Sequence, residues 1–174
     1  MAAPSANRFG RISPTTRDAV REELGDKVEL ILEGGQCEVG VESTIIDMSS
    51  KEIRILRPGM ITAYQIESVL HQHLSQTREN APRVSGALES HYAPVTKTFL
   101  MTRAAIEDFL KQNPTLAIAV VSYSFFISEK STTKIVRLSD HPKEYAHDIY
   151  RSLRELDTGE FQQILIEKVP ETSD

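Results

Sequence analysis

At 174 residues, with 20 Lys+Arg against 25 Asp+Glu and a formal charge of −5, the chain has the length of one ordinary domain or two small ones. Forty per cent hydrophobic and 26% charged residues exclude wholesale disorder, and no apolar run reaches the ~18–20 residues that cross a bilayer. The single cysteine, Cys37, excludes an internal disulfide and a cysteine-anchored zinc site, so the chain reads as soluble and cytoplasmic.

The predicted elements begin with a helix. Ser13 is placed as its N-cap and Pro14 at its first position, where a missing N–H costs nothing; Val20 and Leu24 give it an apolar stripe, and Gly25 ends it. Val28 to Leu32 is predicted as a strand stopped by Gly34-Gly35. Val41 to Met48 and Ile53 to Leu56 read as two strands joined by a tight Ser49-Ser50-Lys51 turn. After Pro58-Gly59, Thr62 caps a helix whose apolar face carries Ile66, Val69, Leu70 and Leu74. Periodicity then disappears from Ser75 to Pro94, a length that predicts a linker between domains.

Beyond the linker the pattern alternates. Thr96–Met101 reads as a strand, Thr102 caps a helix with Ile106, Phe109 and Leu110, and Leu116–Tyr123 is a nearly continuous apolar strand of the kind buried on both faces. Lys134–Leu138 is a further strand, Pro142 opens a helix with Tyr145, Ile149, Leu153 and Leu156, and Gln163–Glu167 closes the series. Such alternation is the pattern of a small parallel α/β sheet. No Gly-x-Gly-x-x-Gly marks its first turn, so a dinucleotide is not implied.

Three groups of residues carry possible chemistry. Ala3-Pro4-Ser5-Ala6-Asn7 with Ser13-Pro14-Thr15 sets hydroxyls and an amide beside a helix N-terminus, where free N–H groups favour an anion; an ordinary cap after a polar turn explains the same residues. Arg8, Arg11, Arg17 and Arg21 against Asp18 alone form a local basic patch that could meet phosphate or RNA, or a solvated helix face. Glu42-Ser43-Thr44 enters a strand, and Arg57-Pro58-Gly59 presents a guanidinium at a strand end, a place where residues often face a ligand. The five histidines lack metal-ligand spacing, Glu42 and Asp47 do not define an acid/base pair, and no nucleophile or metal ligand is assigned.

Five segments nevertheless occur in one order: Ala3-Pro4-Ser5-Ala6-Asn7-Arg8-Phe9-Gly10-Arg11-Ile12-Ser13-Pro14-Thr15-Thr16, Leu30-Ile31-Leu32-Glu33-Gly34-Gly35, Gly40-Val41-Glu42-Ser43-Thr44-Ile45-Ile46-Asp47, Leu56-Arg57-Pro58-Gly59 and His91-Tyr92-Ala93-Pro94. That series resembles the two-domain L-threonylcarbamoyladenylate synthases, over essentially the whole chain. The resemblance implies an α/β protein in which residues 1–74 are the C-terminal half of a YrdC-type domain, 75–95 a linker and 96–174 a small Rossmann-like parallel-sheet domain. It implies condensation of threonine, bicarbonate and ATP to threonylcarbamoyl-AMP and pyrophosphate, for threonylcarbamoyladenosine in tRNA, with ATP as substrate and Mg2+ on its triphosphate. By motif position it assigns Ser5, Asn7, Ser13, Arg57 and Tyr92 to ATP, and Ala3 and Ser43 to threonine.

The same resemblance implies departures. Basic residues expected on the triphosphate would precede Met1, and the family usually continues beyond Asp174. The chain is therefore expected to be a fragment that self-associates or takes a partner carrying the other half, since a half-domain exposes strand edges and apolar surface. The competing expectation is a catalytically inactive module that binds nucleotide, tRNA or double-stranded RNA, or another protein.

Overall fold

A computed structural model of the protein describes residues 4–75, 82, 84, 92–124 and 131–170. The first helix, α1, spans Arg17–Leu24. Its N-cap is Thr16, whose hydroxyl accepts from the Ala19 N–H, and Gly25 (φ 54°) ends it. Ser13 was predicted as the cap, but it lies three residues too early and turns inward, buried, toward Glu42. Val28–Leu32 forms no strand. The backbone there finds no ladder partner among the described residues, and Leu30 and Leu32 remain 74% and 79% exposed. Propensity is not enough where no neighbouring edge accepts the strand.

Two short antiparallel strands follow, β1 (Ile45–Asp47) and β2 (Arg54–Arg57), so the predicted Val41–Met48 strand is largely irregular before Ile45. The intervening turn is fastened by Asp47, whose carboxylate accepts from the Ser49 N–H (3.0 Å) and hydroxyl (2.6 Å). Helix α2 (Ala63–Leu70) starts at Thr62 with a full capping box to Gln65. It buries Ile66, while Leu74 is buried just beyond it and Val69 faces solvent. Most of the predicted 75–95 linker lies outside the described residues.

The second part is a four-stranded parallel sheet ordered β3-β6-β4-β5, built from β3 (Lys97–Met101), β4 (Ile118–Ser122), β5 (Thr133–Arg137) and β6 (Gln163–Glu167). Helix α3 (Arg103–Gln112) packs Ile106 and Leu110 on Ile118, Val120 and Leu165. Helix α4 (Pro142–Leu156) packs Ile149, Leu153 and Leu156 on Ala119, Val121 and Ile164 on the opposite face. The chain crosses β6 between β3 and β4 in one direction and recrosses β4 between β5 and β6 in the other, and right-handed crossovers in opposite directions put their helices on opposite faces. Ile118 to Val121 are all fully buried, as the continuous apolar run predicted.

Helix α4 has a second face. Residues 147, 150 and 154 recur at three- and four-residue steps, and the C-cap Asp157 continues the same row. Arg154 donates to the carbonyls of Ile12 (3.0 Å) and Ala19 (3.2 Å) and pairs with the buried Glu23 carboxylate at 3.0 Å. Asp157 accepts from the backbone N–H groups of Val95 and Thr96 and from the Thr96 hydroxyl, each at 2.8 Å, and meets Arg11 at 3.4 Å. Ile12 is buried in the same core as Leu153 and Leu156, so the two parts share apolar packing. Gly40 approaches the α4 backbone so closely that a Cβ there would lie 2.1 Å from the His147 carbonyl oxygen. Replacing Gly40 with Ala is expected to cost about 1–3 kcal/mol of stability through overpacking, read from urea unfolding; an unchanged midpoint would show that this contact is soft.

Among the described residues, no helix is long and apolar enough to cross a membrane.

Candidate active site

Of the predicted residues, Asn7, Ser13, Ser43 and Tyr92 are linked to one arginine, Arg57. Arg57 ends β2, where strand geometry fixes its backbone, and only about a tenth of its side chain is exposed. Its Nε donates to the Ser43 carbonyl (3.0 Å), Nη2 to the Ser43 hydroxyl (3.1 Å) and Nη1 to the Tyr92 hydroxyl (2.8 Å). Glu42 lies 3.7 Å from Nη2, and its other oxygen accepts from the Ser13 hydroxyl. Ser13 also sits 3.4 Å from the Asn7 side-chain oxygen, while Asn7 Nδ2 donates to the carbonyls of Arg8 and Arg11, both at 3.0 Å. Asn7, Ser13, Glu42, Ser43, Arg57 and Tyr92 thus form one polar chain.

Gly59 makes the Ser43–Arg57 contact possible. A Cβ there would lie 2.4 Å from the Thr44 nitrogen and 2.5 Å from the Glu42 carbonyl oxygen, so the Pro58-Gly59 corner can press against residues 42–44 only as glycine.

Tyr92 closes the site from the other side. Its backbone is left-handed (φ 56°), which is uncommon for a residue with a side chain. The conformation is held by an Ala93 N–H bond to the Gly10 carbonyl (3.1 Å) and by Asp157 further along. The Tyr92 ring lies 5.8 Å from the Arg57 guanidinium carbon and 6.4 Å from the Tyr150 ring, with 29° between the two ring planes. Burial, together with the Glu42 charge, raises the Tyr92 hydroxyl above its usual value against the opposing pull of Arg57. Tyr92 therefore stays a neutral hydroxyl near pH 7.

Of the remaining predictions, Ser5 enters through its carbonyl, which accepts from the Asn7 N–H at 2.6 Å, while its residue is exposed. Ala3 lies outside the described residues. The N-terminal basic patch is largely occupied: Arg8 meets Glu23, Arg11 meets Asp157, and Arg17 meets Asp18 and Glu33. Sequence reasoning left Glu42 unassigned and missed Tyr150 altogether. Adjacency of Glu42 to Ser43 could have flagged the first; nothing local points to the second, because its partner is 58 positions away.

Among the described residues, no group of three His, Cys, Asp or Glu is placed to hold a metal. The carboxylate in the site, Glu42, already faces Ser13 and Arg57, so the donor set does not fit a resident metal.

An arginine at a strand end, hydroxyls and an aromatic ring on a mixed α/β frame make one partly buried polar cluster. Comparison with known proteins narrows this. A family model described as "Threonylcarbamoyl-AMP synthase, C-terminal domain" matches residues 61–174, and one described as "Telomere recombination" matches residues 1–59. The chain belongs to the threonylcarbamoyl-AMP synthase family.

The threonylcarbamoyl-AMP synthase of Pyrococcus abyssi is 30% identical over 98% of this chain and 53% of its own length. That of Bacillus subtilis is 26% identical over 99% of this chain and 53% of its own length. A crystal structure of P. abyssi Sua5 complexed with L-threonine superposes with a TM-score of 0.84 at 28% identity, covering 98% of this chain and 53% of that one. A variant of P. abyssi Sua5 with a histidine and a tyrosine replaced by alanine gives a TM-score of 0.79, covering 98% and 52% at the same identity. The chain spans about half the length of these relatives.

Proposed function

We propose that this chain carries part of a threonylcarbamoyl-AMP synthase, joining threonine, bicarbonate and ATP into threonylcarbamoyl-AMP with release of pyrophosphate. The observation that carries this reading is the continuous polar chain from Asn7 through Ser13, Glu42, Ser43 and Arg57 to Tyr92. The overall reaction needs a C–N bond between the threonine amine and bicarbonate carbon, with loss of water. The resulting carbamate oxygen then bonds to the ATP α-phosphorus as the bond to the β-phosphate oxygen breaks. Little of this calls for covalent help from side chains; it calls for positioning and for neutralised phosphate charge.

In this reading Ser5, Asn7, Ser13, Arg57 and Tyr92 serve the nucleotide, and Ser43 with Ala3 serves threonine. Arg57 supplies a fixed positive charge and Tyr92 an apolar plane. Magnesium arrives as part of the ATP substrate. Residues 1–74 and 96–174 act as two domains joined by 75–95, in the cytoplasm, and the product goes to tRNA, whose contact with the chain is part of the proposal. Apolar side chains exposed on the N-terminal part, Leu30, Leu32, Ile61 and Tyr64 among them, favour self-association or a partner polypeptide over them.

A second reading follows from the chain spanning about half the length of its relatives: a nucleotide-, RNA- or protein-binding module without turnover. The chain is mixed with ATP, threonine, bicarbonate and magnesium, and pyrophosphate and threonylcarbamoyl-AMP are followed by mass spectrometry, with light scattering on the same sample. Threonine-dependent product is the expected result. ATP binding without product would favour the module, and absence of both would remove the site from nucleotide chemistry.

A further inference from the structure

We infer that Tyr150, on the α4 face turned to the N-terminal part, is a positioning residue of the site: through its stack on Tyr92 it holds the tyrosine that holds Arg57. Its reading as a nucleotide contribution rests on the function proposed above; its effect on Arg57 does not.

The links are short and each is physical. The Tyr150 and Tyr92 rings are 6.4 Å apart with 29° between their planes, within the range in which aromatic pairs attract. Tyr92 accepts from Arg57 Nη1 at 2.8 Å, and its ring faces the same guanidinium at 5.8 Å. Arg57 in turn fixes the carbonyl and hydroxyl of Ser43. The left-handed conformation of Tyr92 persists only where surroundings over-determine it, and the contacts of its ring add to the backbone bonds beside it. Its backbone neighbours are anchored at Gly10 and Asp157, while its ring lies 5.8 Å from the Arg57 guanidinium carbon and 6.4 Å from the Tyr150 ring.

The position of Tyr150 is equally determined. Residues 149 and 153, beside it on the helix, are buried against the sheet, and residue 154 clamps Ile12, Ala19 and Glu23. Tyr150 therefore stands on a helix whose rotation and height are fixed from both sides. Burial, with the charge of Glu42 and the nearby Tyr92, pushes its hydroxyl up to about 12, so the ring stays neutral across the working range. A neutral, rigid aromatic wall is what a stacking role requires. Helix α4 thereby reaches the site through the Tyr150 ring.

The experiment compares the wild-type chain with Tyr150→Phe, Tyr150→Leu, Tyr92→Ala and the Tyr92→Ala/Tyr150→Leu double variant. In ligand-free protein, the Arg57 Nε–H signal is followed by NMR, since its bond to the Ser43 carbonyl protects it from exchange. The Leu variant keeps apolar bulk, so folding is retained while the ring plane is lost; far-ultraviolet circular dichroism checks this. Tyr150→Phe is expected to leave the Arg57 signal protected, and Tyr150→Leu and Tyr92→Ala to lose it. ATP affinity, titrated by calorimetry, is expected to weaken about fivefold in Tyr150→Leu, the worth of one stacked pair. It should weaken no further when Tyr150→Leu is added to Tyr92→Ala. A protected Arg57 in folded Tyr150→Leu overturns the inference. So does a Tyr150→Leu effect that adds in full to that of Tyr92→Ala, or a Phe variant that behaves like the Leu one. If the wild type binds no ATP while Arg57 is released as expected, the positioning role stands and the nucleotide reading falls.

Discussion

Replacing Arg57 with Met is expected to abolish measurable ATP binding and to lower stability in the same step. Among the described residues, the side chain donates to the Ser43 carbonyl and hydroxyl and to the Tyr92 hydroxyl and faces the Glu42 carboxylate, and it is nearly buried. Its loss leaves the Ser43 carbonyl and hydroxyl, the Tyr92 hydroxyl and the inner oxygen of Glu42 without the cation they were arranged around. Removing one member of such a buried charged set costs about 3–5 kcal/mol, most of it the penalty on the groups left behind. Arg57→Lys should be nearly as damaging. An ammonium on a flexible stem cannot reach Ser43 and Tyr92 in the fixed fork that a guanidinium provides. Calorimetric titration with ATP and thermal unfolding are the readouts. A Lys variant with wild-type affinity would mean that only charge, and not geometry, matters at this position.

The second large effect is expected at the seam between the two parts. Arg154→Met should destabilise the chain by about 3–5 kcal/mol, because Glu23 is then a buried carboxylate with Arg8 as its remaining close cation. Burial alone would raise the Glu23 carboxyl. Bonds from Arg154 and the Arg8 N–H, with the Arg11 charge, outweigh this and hold it below the usual carboxylate range. The sign follows. With a folded value below the unfolded ~4.3, this stabilisation is complete above that pH and is lost as pH falls through the folded value. Wild-type stability should therefore drop on acidification below about pH 4, and Glu23→Gln should flatten that limb while lowering stability at neutrality. Hydrogen exchange would locate the damage: amides of α1 should lose protection before those of β4 and β6. Uniform loss across the chain would mean that the seam is not a separate unit of stability.

Much of this architecture could be read in the residues. The run from Leu116 to Tyr123 announced a strand buried on both faces, and Thr62, Thr102 and Pro142 marked three helix starts that the structure keeps. What failed did so for lack of a partner. Val28–Leu32 has strand composition, but a strand exists only through the edge beside it, which composition does not reveal. Ser13 and Thr16 are both acceptable caps; the choice fell to Thr16 because Ser13 is drawn inward by Glu42.

The candidate site was legible only as scattered motifs. Asn7, Ser13, Ser43, Arg57 and Tyr92 could be named, yet nothing in their spacing says that one guanidinium gathers Ser43 and Tyr92. Glu42 and Tyr150 were hidden for the same reason, since their meaning comes from residues far away in the chain.

The missing Cβ at residue 40 has a consequence for exchanging parts between relatives. Because a Cβ at residue 40 would lie 2.1 Å from the His147 carbonyl oxygen and 2.4 Å from that of Ala146, only a glycine there lets the loop seat against this helix when a foreign neighbour is grafted onto it. A chimera that takes its α/β domain from one species and its N-terminal part from another must therefore inherit the glycine, the 147–157 helix face and the Arg11–Thr16 segment as one matched cassette. Grafts cut between these pieces should misfit at the seam even when each part folds correctly by itself.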